Sequence, residues 1–185
     1  MGRLHEGLDD QLIDWIALQH VFFVATAPRD GHVNVSPKGY DTFRIIDRHT
    51  VAYLDLTGSG VETIAHVREN GRLTIMFCAF EGAPRILRLH GQGEILEPGD
   101  TAFEEHRGRF PDLPGVRAVI VLHVERVSSS CGYGVPLMSY VGERETLAEW
   151  AERKGEKGLD AYRSQHNAVS IDGLPGLERA SLPSS

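Results

Sequence analysis

From Val21 to Val127 the chain is a succession of short β-rich runs, each ended within a few residues by turn chemistry. Val21 to Thr26 comes first, and Asp30-Gly31 is a hairpin turn signal. His32 to Ser36 then alternates, with Val33 and Val35 on one face. Residues 43–47 and 50–56 read as two further strands joined around Asp47-Arg48, and 73–80, 85–96 and 118–127 complete a set of six or seven. Many strands with tight turns and few helices favour a closed or nearly closed antiparallel barrel over a parallel sheet, a mainly β fold of the α+β kind. Gly91 and Gly93, inside the longest of these runs, fit the bends that a barrel corner requires.

Short helices flank the strands. Leu8, Leu12, Trp15 and Ile16 recur at three- and four-residue spacing, which predicts an amphipathic helix over 8–18. A second helix is expected over 61–69, closed by Asn70-Gly71, and a charged third over 101–109, ending before Pro111. After residue 128 the pattern breaks into the loop-like SSSCGYGVPLM. A charged helix at roughly 145–154 follows, then a flexible joint from Lys154 to Gly158 and a short helix near 159–166. The tail is punctuated by Gly and Pro, and its last few residues are expected to be loose. The whole reads as one domain over 1–185, with a core at about 10–128 and an extension over 129–185.

A chain of 185 residues buries a substantial core without staples. Its 26 acidic against 19 basic side chains argue against a duplex-DNA or anionic-membrane surface while allowing a local basic pocket. Two cysteines are too few for a disulfide scaffold or a four-thiolate zinc site, and Cys78, in the apolar run from Ile75 to Phe80, reads as a buried thiol. The nine histidines are scattered without metal-ligand spacing, so no metal site is expected. No run approaches the roughly 18 apolar residues of a membrane span, and the first residues do not resemble a signal peptide. The expectation is a soluble, cytoplasmic protein.

Four constellations could carry chemistry. Ser36-Pro37-Lys38-Gly39 closes a strand with a lysine beside a glycine, which suits a phosphate or carboxylate; the alternative is a solvated loop lysine. Thr57-Gly58-Ser59-Gly60 leaves a strand and opens the helix 61–69. Free backbone N–H groups, the helix dipole and the hydroxyls of Thr57, Ser59 and Thr63 would make that junction an anion site, and a flexible turn is the alternative. The junction lacks the third glycine of a dinucleotide fingerprint and the Gly-Lys-Ser/Thr of a P-loop. Ser130-Cys131-Gly132-Tyr133, with glycines around an aromatic, could lay a ring over a planar ligand or be a plain surface loop. Cys131 has no histidine near it in sequence to serve as a base, and no nucleophile elbow occurs. Asn167 to Pro175 reads as packing against the body of the protein or a partner, or as a segment closing over a ligand.

The segments VFFVATAPRDGHVNVSPKG, AYLDLTGSGVETIAHVRENGRLTIMF and RILRLHGQGEIL together resemble the pyridoxamine 5′-phosphate oxidase-like flavoproteins, whose fold is an FMN-binding split barrel. SSCGYGVPLM and NAVSIDGLPGL resemble one subgroup of unassigned activity, and the likeness runs over about residues 10–175. The resemblance implies a six- to seven-stranded antiparallel split barrel, a homodimer, and FMN in clefts between the subunits. It implies a phosphate site built from Lys38 and the turn into helix 61–69, with a ring edged by the Val35–Ser36 backbone. It also implies that Ser130–Tyr133 and the tail reach across the interface. The implied chemistry is hydride transfer to the flavin, with a small-molecule substrate. Three positions depart from the family pattern. Glu62 and Thr63 stand where classical members carry an Arg-Lys pair, Ile86 stands at a glutamine position, and the arginine-bearing segment that recognises pyridoxal phosphate has no counterpart. Oxidation of pyridoxamine phosphate is therefore not expected. A flavin held without turnover is the other reading, as is a deazaflavin or haem in the same cleft, for which Arg44, Arg85 and Arg88 are the available cations. Tyr53, Tyr133 and His90 are equal candidates for a proton donor.

Overall fold

A computed structural model describes residues 2–178. Its strands are β1 (Arg3–His5), β2 (Phe22–Thr26), β3 (Asn34–Lys38), β4 (Phe43–Asp47), β5 (Thr50–Leu56), β6 (Arg72–Cys78), β7 (Ile86–Leu96) and β8 (Val116–Ser130). The helices are α1 (Asp10–Ala17), α2 (Glu62–Asn70), α3 (Thr101–Arg107) and α4 (Thr146–His166). The sheet runs β3-β2-β6-β7-β8-β5-β4 with every pair antiparallel, and β1 adds to β8 off that path. The path curls, but its end strands β3 and β4 do not pair with one another, so the barrel is split along that seam.

The curl is set where β7 crosses β8. The register slips between His90 and Gly91, and a Cβ on Gly91 would land on the His123 carbonyl oxygen across the ladder. Only glycine tolerates that approach, so the bulge and the bend belong to this residue. Two positions on, Gly93 leaves room for Val67 of α2 to press against the sheet.

Side-chain alternation explains two cores. Along β5, Val51 and Tyr53 face the barrel interior with Phe22, Ile75, Phe77 and Leu89. Ala52 and Leu54 face the other way, into a smaller cluster under α3 with Phe103 and Phe110. Both faces of β5 and β8 are covered, which is why these strands read as nearly continuous apolar runs rather than alternating ones. The Asp9 carboxylate accepts the Leu12 N–H at 2.9 Å and caps α1. Gly71 ends α2 with φ 74°, donating its N–H to Val67, as Asn70-Gly71 predicted.

Some expectations are corrected. The segment after residue 128 is not yet a loop: β8 continues through Ser130 because Ser128 and Ser129 pair with both β7 and β1. The strand expected at 32–36 sits two residues later. Val33 and Val35 share one face as expected, and that face is exposed, since β3 is an edge strand whose outer face carries no packing layer in this chain. Strand β1 is three residues with no apolar alternation, so the sequence carried no sign of it. The expected joint at 154–158 is a kink: Gly155 has φ 61° inside a helix otherwise continuous from Thr146 to His166. The looseness expected of the last few residues lies outside the described residues.

Candidate functional site

Beside the open edge of β3 lies a cavity of about 330 Å³, floored by the end of β5 and closed by the Thr57–Gly60 turn. Of the residues singled out from the sequence, Ser36, Pro37, Lys38, Thr57, Gly58, Glu62 and Thr63 line it. Ser59 is exposed beyond the rim, and Val35 faces outward from β3. The strand edge and the turn, distant in sequence, are thus one site.

Its electrostatic centre was not apparent from motifs. The Asp55 carboxylate, fully buried, accepts from Lys38 Nζ through one oxygen and from Arg117 Nε through the other, each at 2.7 Å. Burial alone would raise this carboxyl. The charges of Arg117 and Lys38 overcome that effect and hold it at about 2. Arg117 also donates to Asn167 Oδ1 at 3.0 Å, and Asn167 Nδ2 donates to the Gly58 carbonyl at 3.0 Å. Arg163 of α4 donates from Nε to the Thr57 hydroxyl at 2.9 Å and from Nη2 to the Val116 carbonyl at 3.1 Å. Burial pulls its guanidinium down, against the partly exposed Asp160 at 3.2 Å, yet a guanidinium stays cationic.

The Thr57–Gly60 turn is therefore braced rather than flexible. The Thr57 N–H and hydroxyl both donate to the Gly115 carbonyl, so that hydroxyl is already committed within the chain. The Thr63 hydroxyl accepts from Asn34 Nδ2 at 3.0 Å. Glu62 lays its carboxylate over Gly60, where it accepts the Ile171 N–H at 3.3 Å. An anion approaching the first turn of α2 thus meets Glu62. The attractive side of the cavity is where Lys38 of β3 and Arg117 of β8 line it, with Asp55 buried between them.

The remaining expected contacts fall elsewhere. Ser130, Cys131, Gly132 and Tyr133 stand at the end of β8, where Gly132 packs on the Arg85 backbone and Tyr133 is exposed. Within one chain they do not reach the cavity. The tail segment does reach it: Asn167 braces the turn, and Asp172 accepts from the His32 N–H at 2.8 Å and pairs with its ring at 2.7 Å. Tyr53 does not line the cavity. Its hydroxyl points into the barrel interior, buried and without a partner. His90 meets Thr74 at 3.1 Å away from the cavity, Arg44 pairs with Asp41, and Arg88 reaches Ser130. Cys78 is buried, and burial raises its thiol. Among the described residues no group of three His, Cys, Asp or Glu could hold a metal, and no helix is long and apolar enough to cross a membrane.

Asp55 and Arg117 were legible only as anomalies, and Arg163, in a charged helix, carried no signal. A carboxylate in the apolar strand Thr50–Leu56, and an arginine opening the apolar run Ala118–Leu122, each require a buried partner.

A family model described as pyridoxamine 5′-phosphate oxidase matches residues 8–131. The pyridoxamine 5′-phosphate oxidase family protein ustO of Aspergillus flavus is 43% identical over 200 residues, covering 97% of this chain and 80% of that protein. The crystal structure of HupZ from Group A Streptococcus superposes with a TM-score of 0.51 at 28% identity, covering 65% of this chain and 91% of that one. An FAD-binding protein from Mesorhizobium loti superposes with a TM-score of 0.50 at 16% identity, covering 70% of this chain and 96% of that one.

Proposed function

Because this chain belongs to the pyridoxamine 5′-phosphate oxidase family, we propose that it binds FMN in the cavity along β3 and acts as a cytoplasmic flavin-dependent oxidoreductase on a small molecule. The observation that carries this reading is the cavity's wall. An unpaired strand edge supplies N–H and C=O groups for a planar heterocycle, and Asn34 and Ser36 supply polar groups for a polyol. Lys38 and Arg117, side by side in the lining, suit a phosphate. The volume of about 330 Å³ would hold the polyol and phosphate. When bound, the flavin supplies hydride acceptance. The chain's residues position and polarise. Lys38, held by Asp55, presents a fixed positive charge, and the braced turn keeps the floor rigid. Glu62 turns the anion away from the helix and toward Lys38. Homodimerisation across β3, with Ser130–Tyr133 of one chain covering the cavity of the other, completes the reading. The exposed Val33 and Val35 give that face its apolar character.

A binder without turnover is the second reading. It is favoured by the lining itself, whose ionisable groups are Lys38, Tyr40, Glu62 and Arg117, with no histidine to move a proton near neutral pH.

The test is the visible spectrum of the purified protein and the mass of what heat releases. The expected result is a two-banded flavin spectrum and FMN. Lys38→Ala should weaken FMN by roughly tenfold or more, the worth of a charge-assisted hydrogen bond; unchanged affinity refutes the assignment. Reduction by NADH or NADPH in steady state separates enzyme from binder.

A further inference from the structure

A second concavity, of about 900 Å³, adjoins the first and shares Pro37, Lys38, Gly39 and Tyr40 as a common wall. Trp15, Leu18, Phe80 and Met138 make it largely apolar. Its outer wall is the segment 136–145, which has no regular secondary structure yet is pinned at both ends. Met138 N–H donates to the Phe80 carbonyl at 2.9 Å, and the Tyr140 N–H donates to Glu81 at 3.0 Å. At the other end, the Tyr40 N–H donates to Glu143 at 3.2 Å and the Tyr40 hydroxyl to the Arg144 carbonyl. Tyr40 makes these contacts from a left-handed backbone, φ 58°, the one such residue other than glycine among those described. Within the groove the rings of His20 and Tyr140 lie parallel, with centroids 3.6 Å apart.

The charges are unequally committed. Both rim carboxylates are engaged: Glu81 by the Tyr140 N–H, and Glu143 by the Tyr40 N–H and the Tyr140 hydroxyl. The half-buried Arg85 guanidinium lies over the Trp15 ring at 5.4 Å and has no carboxylate partner among the described residues. Of the cations lining the groove, Lys38 is paired with Asp55 and Arg144 is exposed at the rim, which leaves the half-buried Arg85, held on an indole face, to meet a flat anion in this apolar, aromatic groove.

We propose that this groove binds a small aromatic carboxylate, its one or two fused rings held among Trp15, Phe80 and the His20–Tyr140 pair and its carboxylate on Arg85. Such a ligand would lie against Pro37–Tyr40, the wall shared with the flavin cavity. It is the substrate class of the proposed oxidoreductase, and that last identification alone rests on the flavin reading.

Calorimetric titration of the purified chain with 2-naphthoate, and with its neutral counterpart 2-naphthylmethanol, tests the proposal. The expected result is one naphthoate per chain and at least tenfold weaker binding of the alcohol. Arg85→Gln should cost naphthoate roughly tenfold or more and leave the alcohol within about twofold, while Arg85→Lys keeps the preference for the anion. In a Trp150→Phe background, Trp15 is the remaining tryptophan, and its emission should change in step with the heat. Equal affinity for both probes, no binding, or naphthoate binding indifferent to Arg85→Gln overturns the proposal. So does binding that appears only on dilution, as sedimentation shows a dimer coming apart, since the groove would then be covered by a second copy. Flavin content is read separately from the spectrum. A yellow protein that ignores naphthoate overturns this inference alone, and a colourless one that binds it overturns the flavin reading alone.

Discussion

Replacing Asp55 with Asn keeps the size of a fully buried side chain and removes its charge from between two cations, each 2.7 Å away. The two partners respond differently. Lys38 is 20% exposed and can turn toward solvent. Arg117 is 5% exposed and tied to Asn167, so it is left as a buried charge without a counterion. Stranding one member of a buried pair costs about 3–5 kcal/mol, and the escape of Lys38 places this case at the low end. Proton linkage gives an independent value. A carboxyl lowered from its ordinary 3.8 to about 2 contributes about 2 kcal/mol. Because the folded value is the depressed one, that contribution is complete above about pH 4 and is lost as the pH falls toward 2. Urea unfolding of both proteins across this range is the assay. Asp55→Asn should be about 2–3 kcal/mol less stable at pH 7 with an unchanged m-value, and the difference should shrink between pH 4 and 2. A loss under 1 kcal/mol, or a difference that ignores pH, refutes the view that Asp55 is an ionised keystone.

Tyr53→Phe should be neutral or stabilising by up to about 1 kcal/mol, because it deletes a buried hydroxyl with no partner; calorimetric Tm checks it. Gly91→Ala should cost about 3 kcal/mol or more, or abolish soluble expression, since the added Cβ meets backbone rather than a movable side chain. Hydrogen exchange of residues 168–176 should depend on pH through His32. Its hydrogen bond and charge interaction with Asp172 raise its pKa, so the latch is complete below the ordinary 6.5 and lost as pH rises through the raised value. Asp172→Asn should remove that dependence.

Much of the barrel was legible because its signals are local. The short β-rich runs, the Asn70-Gly71 stop and Gly91 of β7 each act within a few residues, and each corresponds to an observed strand, cap or bend, while Gly93 makes room for Val67 instead. The two segments that meet at the cavity were singled out for the same reason, since a lysine ending a strand and small residues opening a helix are short-range patterns. The ionic cluster was not. Lys38, Asp55 and Arg117 lie on three different strands, and Arg163 and Asn167 at the end of α4, so only the curl of the sheet and the return of α4 bring them together. Thr57 shows the limit in one residue. Its hydroxyl reads as a ligand donor until the fold supplies Gly115 and Arg163 as its partners.

The bracing of the Thr57–Gly60 turn by Arg163 and Asn167 also sets an order of assembly. These bonds join residues 106 and 109 positions apart. At ribosomal rates of about 5–20 residues per second, Thr57 has left the synthesis site roughly 5–20 s before its clamp exists. In that interval the strands can pair, but the Gly58 carbonyl has only the long 3.5 Å bond from Arg117, and Arg117 has no Asn167. The cavity is thus completed last, and a released chain ending near residue 131, where the family match ends, would hold β1 to β8 yet lack Arg163 and Asn167.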